Sequence, residues 1–136
     1  MEWETAISRI CETPSEADWV PREAAGYHIA TSWYILAEAL SRIAETPFPK
    51  MVQTQIFNPL SMGDSWVGMP ETSYFSYDDR MAWMYRTHGE NEPDESLNSV
   101  EGAARVRPGG NGRGPIRELG RFFEMLLAGG AEVLRC

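Results

Sequence analysis

The sequence has one lysine, two cysteines and two histidines among its 136 residues, and each scarcity removes a class of chemistry. Cys11 and Cys136 form no CxxC pair and no metal-ligand spacing, so a part-buried thiol and a terminal one are expected. His28 and His88 have no second ligand at helical spacing, so the pattern holds no metal site and no cofactor motif. Basic charge is scarce too: the net charge of −8 argues against nucleic acid as a partner. No apolar run reaches the ~20 residues of a membrane span, because Glu38 and Glu124 interrupt the two best stretches. The N-terminus is acidic where a secretory signal would be basic, and no Asn-x-Ser/Thr sequon occurs. A cytoplasmic location without membrane contact is therefore expected.

The shortage of lysine bears on catalysis directly. A Ser-x-x-Lys pair sets an amine one helical turn from a hydroxyl, where it can take the proton of the nucleophile. Lys50 has Pro47 three residues before it, so these residues hold no such pair, and no Lys-Thr-Gly either. Gly63–Val67 misses the Gly-x-Ser-x-Gly elbow at its last residue. The glycine-rich Arg107–Pro115 segment is neither a P-loop nor a dinucleotide fingerprint, since Pro115 stands where lysine is needed and no strand precedes it. A flexible connector is its simplest reading. Charge is unevenly spread, with 17 acids and 6 bases in residues 1–101 against 3 acids and 6 bases in residues 102–136. Two solvated tracts explain this without an anion site.

What is present is helical periodicity. The chain is organised around Gly26–Glu45, where Ile29, Trp33, Leu36, Leu40 and Ile43 recur as one apolar stripe expected to face the core. Thr31 or Ser32 is the expected cap. Tyr27 lies just before it, at the positive end of the helix dipole. Trp3, Ile7, Ile10 and Cys11 predict a first short helix, and Pro14 and Pro21 bound the loop after it. Pro49 suits the first turn of a third helix with Phe48, Val52 and Ile56 inward. Leu60–Met69 is expected to be irregular, anchored by Leu60, Met62, Trp66 and Met69.

Ser76 and Asp79 make a capping-box pattern ahead of Tyr77, Met81, Met84 and Tyr85, a fourth helix closed at His88-Gly89. Glu90–Glu101 is acidic and expected to be a mobile loop. A last helix from Pro115 to Ala128 carries Ile116, Leu119, Phe123 and Leu126 as its core stripe. The best strand candidate is Val67–Phe75. The expected fold is mainly α, with five helices, little or no sheet and one unit over residues 1–136.

Several stretches, in order, resemble the serine β-lactamase-like superfamily of class C β-lactamases, penicillin-binding proteins and related esterases and transesterases. Tyr27 followed by Trp33-Tyr34-Ile35-Leu36-Ala37 is similar to the family's tyrosine motif and the helix after it. Ile56-Phe57-Asn58-Pro59-Leu60-Ser61-Met62 resembles its i-F-x-P-L-G-M signature. Pro108-Gly109-Gly110, then Glu118–Leu127 and Gly129-Gly130, looks like its glycine turn, helix and Gly-Gly end. Ala37 and Ser61 stand where glycine is usual, which implies packing changes.

The resemblance implies the all-α region of an α+β fold, with the nucleophile-bearing part expected before the tyrosine and the third motif expected on a strand after the last helix. Neither lies within these residues, so a truncated domain is expected. It implies that Tyr27 is the catalytic residue that helps move the proton during acyl transfer to or from a small ester or amide. It also places Arg107, Gly109 and Gly110 on the rim of the substrate cleft. Without the nucleophile no turnover is expected, and helix faces meant for a sheet would promote self-association. The rival reading is an autonomous helical module that binds a protein partner and has no catalytic role.

Overall fold

The computed structural model describes residues 3–17, 19–20, 22–23, 25–89 and 91–130. Pro21 and Cys136, named above, lie outside these. The architecture is mainly helical, as expected, with two two-stranded antiparallel ribbons. Seven α-helical segments stand among the described residues where five were expected. None is long and apolar enough to cross a membrane.

Helix α1 (Trp3–Glu12) buries Ala6 and Ile7. Cys11, in its last turn, is exposed rather than part-buried. Helix α2 (Thr31–Ile43) packs on α1, but not through the expected stripe. Ile29, Trp33, Leu36, Leu40 and Ile43 are all exposed, Ile43 at 81%. The inward face is the next one round, where Ala37 is 1% exposed. The Trp3 indole donates to Glu38 Oε2 at 2.7 Å, and its ring centroid lies 5.3 Å from that of Tyr34. Periodicity marks which side chains share a face, and here a small residue and directed hydrogen bonds decided which face meets α1. Neither Thr31 nor Ser32 caps the helix; Ala30 holds that position and Ser32 Oγ donates back to the His28 carbonyl at 3.1 Å.

Helix α3 (Phe48–Val52) starts with Pro49 in its first turn and widens into a π-helical turn at Gln53–Phe57. The chain then enters the main apolar cluster, in which Leu60, Met62 and Met125 are buried against Ile56, Phe57 and Phe122. Ser61, the residue where glycine is usual, has φ 54°. That left-handed backbone is costly for any side chain, by roughly 1–2 kcal/mol.

Strand β1 (Trp66–Val67) pairs antiparallel with β4 (Gly112–Arg113), Trp66 opposite Arg113. The expected strand over 67–75 ends there, because α4 (Glu71–Tyr77) begins at once after Pro70. The helix expected from Ser76 to Gly89 is absent. Asp78 turns left-handed at φ 46°, a 3₁₀ turn covers Asp78–Arg80, and β2 (Tyr85–Arg86) follows in extended form. The Asn98 amide holds that extension like a strand partner: Met84 N donates to Asn98 Oδ1 and Asn98 Nδ2 donates to the Met84 carbonyl, both at 2.8 Å.

From Glu92 on, the acidic stretch takes regular structure rather than forming a loop. It forms β3 (Glu92–Pro93), which pairs with β2, then α5 (Glu95–Asn98) and α6 (Val100–Ala104). Its polar residues act as caps: Asp94 Oδ1 accepts from Ser96 N and Leu97 N, and Ser99 Oγ accepts from Gly102 N. The Ser96 hydroxyl bond, with those amides, holds the Asp94 carboxyl below its ordinary pKa. Helix α7 (Ile116–Leu127) follows Pro115, which is its cap rather than its first residue. Gly129 and Gly130, at φ 69° and 77°, end it. Its expected core stripe is exposed as well: Ile116, Leu119, Phe123 and Leu126 face outward, while Glu118 and Met125 are buried.

Candidate functional site

Tyr27 lies in the irregular segment that leads into α2. Its side chain is 79% exposed and makes no hydrogen bond with the described residues. Neighbouring Gly26 lies against the Trp19 ring, and His28 Nε2 stands 4.0 Å from Glu16 Oε1. Tyr27 thus stands exposed just before the start of α2.

The glycine turn closes onto the same helix end. Gly110 N and Asn111 N both donate to the Arg107 carbonyl at 3.1 Å, which sets the bend. A Cβ on Gly109 would stand 2.5 Å from Trp33 Cδ1 and 3.2 Å from the Ile29 carbonyl oxygen, so only glycine fits there. One residue before the turn, the Val106 carbonyl accepts from Tyr34 Oη at 3.0 Å. Gly109 therefore touches the backbone two residues beyond Tyr27. Gly110 faces open space, and Arg107 is half-buried with no ion pair to the Tyr27 segment. Gly109 thus lies against the start of the helix that follows Tyr27. His88, expected at a helix end, is exposed just after β2.

Behind the turn lies an arrangement the sequence did not reveal. Asn111 is buried, and its amide nitrogen donates to the carbonyls of Gly102, Ala103 and Arg105. These are end carbonyls of α6 that have no helical partner. Glu118, 3% exposed, accepts from Asp64 N at 3.1 and 3.2 Å and from Ser65 Oγ at 2.7 Å. Asp64 in turn accepts from Tyr77 Oη at 2.9 Å and pairs with Arg117 at 2.9 Å, while Tyr77 accepts from the Trp66 indole at 3.0 Å. Burial raises the Tyr77 phenol above its ordinary pKa against the Trp66 hydrogen bond, and Asp64 adds to the rise. Ser65 is buried with its proton committed to Glu118, so this chain of bonds pins loops rather than presenting a nucleophile. One signal was available: Glu118 is an acid in the first turn of a helix, where free amides and the dipole favour a carboxylate.

The sequence matches the Beta-lactamase family profile over residues 3–135. Among solved structures it is similar to one described as the octameric penicillin-binding protein homologue from Pyrococcus abyssi, with a TM-score of 0.60 and 13% sequence identity. The superposition covers 96% of this chain and 32% of that one, so the chain spans about a third of that neighbour's length. No curated protein matches the sequence. The likeness to that structure is one of fold, and the profile match over nearly every residue shows that the chain belongs to the Beta-lactamase family.

Proposed function

We propose that these 136 residues supply the tyrosine side of a serine-hydrolase acyl-transfer site for a small ester or amide, and that they do not turn over substrate by themselves. The observation that carries the reading is the exposed Tyr27 phenol at the head of α2, with the Gly109 bend closed against the same helix end. A phenol so placed can pass a proton between a nucleophile and a base that face it. These residues contain no Ser-x-x-Lys to face it, and loss of a nucleophile typically costs several orders of magnitude in rate. The bare stripes of α2 and α7 support the same reading, since they suit helices that pack against further secondary structure.

The test is incubation with a chromogenic β-lactam and a short-chain ester, followed by intact mass. No covalent adduct and no rate above a Tyr27→Phe control are expected. An acyl-protein adduct that accumulates with time would overturn the claim of inactivity. The same exposed stripes also favour an interaction module that acts without catalysis. Light scattering separates the two: a defined, cooperatively melting monomer or dimer favours the module, and ill-defined, dye-binding oligomers favour a catalytic part lacking its cover.

A further inference from the structure

A cleft of about 440 Å³ opens between Gly112–Pro115 and the chain from Tyr77 to Met84. Its lining includes neither Tyr27 nor Gly109. Three arginines, Arg80, Arg113 and Arg117, line it against one acidic residue, Asp64. A chain of net charge −8 thus has a wall with an excess of positive charge. Met69, Met81 and Met84 supply an apolar, adaptable floor.

The three arginines are not equally satisfied. Arg117 is paired with Asp64 at 2.9 Å. Arg80 lies over the Tyr77 ring, 5.0 Å from its centroid, and reaches the Ser76 carbonyl at 3.4 Å. Arg113 is half-buried and donates to neutral acceptors only, the Leu97 carbonyl and Asn111 Oδ1. Burial lowers its pKa, the mark of a charge withdrawn from water. No carboxylate of the described residues pairs with Arg80 or Arg113. A guanidinium carries five donors in a planar fork, and a partly desolvated one without a counter-ion gains most from an added anion.

We propose that this cleft binds a carboxylate carried on a short apolar body, the carboxylate meeting Arg80 and Arg113 and the body lying on Met69, Met81 and Met84. A singly charged group matches the wall. A dianionic phosphate would press a second charge towards Asp64 and leave the methionines uncovered. The carboxylate can belong to a free acid or to the C-terminus of a peptide, which present the same chemistry.

The probe is hexanoate, titrated into the full 136-residue chain and followed by amide and methionine-methyl NMR shifts. Saturable shifts at Gly112–Arg117 and at Met81 and Met84 are expected. Hexanol should bind at least about tenfold more weakly, the loss of one charge-assisted contact of about 1.4 kcal/mol. Arg80→Gln, at an exposed position, should keep the parent's melting temperature and weaken hexanoate about tenfold. Arg113→Gln should weaken it further. A short apolar peptide with a free C-terminus that outcompetes hexanoate, while its amidated form does not, identifies a chain end as the ligand; weaker binding by both identifies the free acid. The proposal is overturned if hexanoate fails to saturate, if hexanol or inorganic phosphate binds as well, or if a folded Arg80→Gln binds like the parent.

Discussion

Around Asn111 and Glu118 the chain buries polar side chains with their hydrogen bonds made, whereas α2 and α7 hold many of their large apolar side chains in the open. Among the described residues no buried side-chain nitrogen or oxygen lacks a partner. Yet Ile43 and Ile116 are each 81% exposed, and Leu36 and Phe123 are about half exposed. The inner loops, 60–69 and 102–118, are thus locked by directed bonds that need nothing further. The helix faces carry the opposite pattern, apolar area of a kind that water disfavours by roughly 25 cal/mol per Å². The difference teaches that the loops around Asn111 and Glu118 are held by directed polar bonds, while the apolar stripes of α2 and α7 mark surfaces that the described residues do not cover.

The sharpest way to break this comparison is to remove a pin. Glu118→Ala strips the acceptor from the Asp64 amide and the Ser65 hydroxyl and leaves a hole beside them. Unsatisfied buried donors cost about 1–3 kcal/mol each, so a loss of about 3 kcal/mol in urea unfolding is expected. Glu118→Gln keeps one acceptor oxygen and should lose less. Were Glu118→Ala to unfold at the parent's midpoint, the loops would owe their order to something other than these bonds.

The stripes predict a much smaller response. Ile43→Gln and Ile116→Gln replace residues that would belong to a core by pattern but are solvated in the structure. A surface substitution is usually worth within about 0.5 kcal/mol, against the 2–5 kcal/mol of truncating a core isoleucine. Unfolding midpoints should therefore hold while self-association, followed by light scattering at rising concentration, declines. A large loss of stability would show those faces to be packed, and the contrast between the two regions would fail.

This is also where sequence and structure part. The mainly helical class, α1, α2, α3, α7 and the anchors Leu60, Met62 and Met69 were legible, because amphipathic period and proline position speak through local physics. The stripes of α1 and α3 face inward as read, with Ile7 and Val52 buried, but the direction of the α2 and α7 stripes was not legible, since periodicity says nothing of what lies opposite. The fourth helix failed because Tyr77, Met81, Met84 and Tyr85 keep helical spacing while Asp78 reverses the backbone and Asn98 grips Met84 from 14 residues away. Asp94 and Ser99 carried cap signals inside a stretch whose acidity suggested disorder. At the candidate site the resemblance singled out Tyr27 and Gly109 by motif. Their contact with one helix end depends on Trp33 and Ile29, and no spacing encodes that.

The smallest effect lies at the edge of the pinned region and is read by titration. Tyr77 donates to Asp64 and accepts from the Trp66 indole, and burial lifts its pKa above the ordinary tyrosine value of about 10. With the folded value above the unfolded one, the stability this group contributes is complete below about pH 10 and is lost as pH rises through the folded value. The chain should therefore weaken slightly in alkali, and its phenolate absorbance should show a portion that titrates late. Tyr77→Phe should remove that portion and flatten the alkaline decline, at the cost of leaving the Trp66 indole without its acceptor. Asp64→Asn, which takes away a negative neighbour, should move the late portion to lower pH. If Asp64→Asn leaves it in place, the carboxylate does not act on the phenol, and the polar pins end at Glu118 rather than reaching Tyr77.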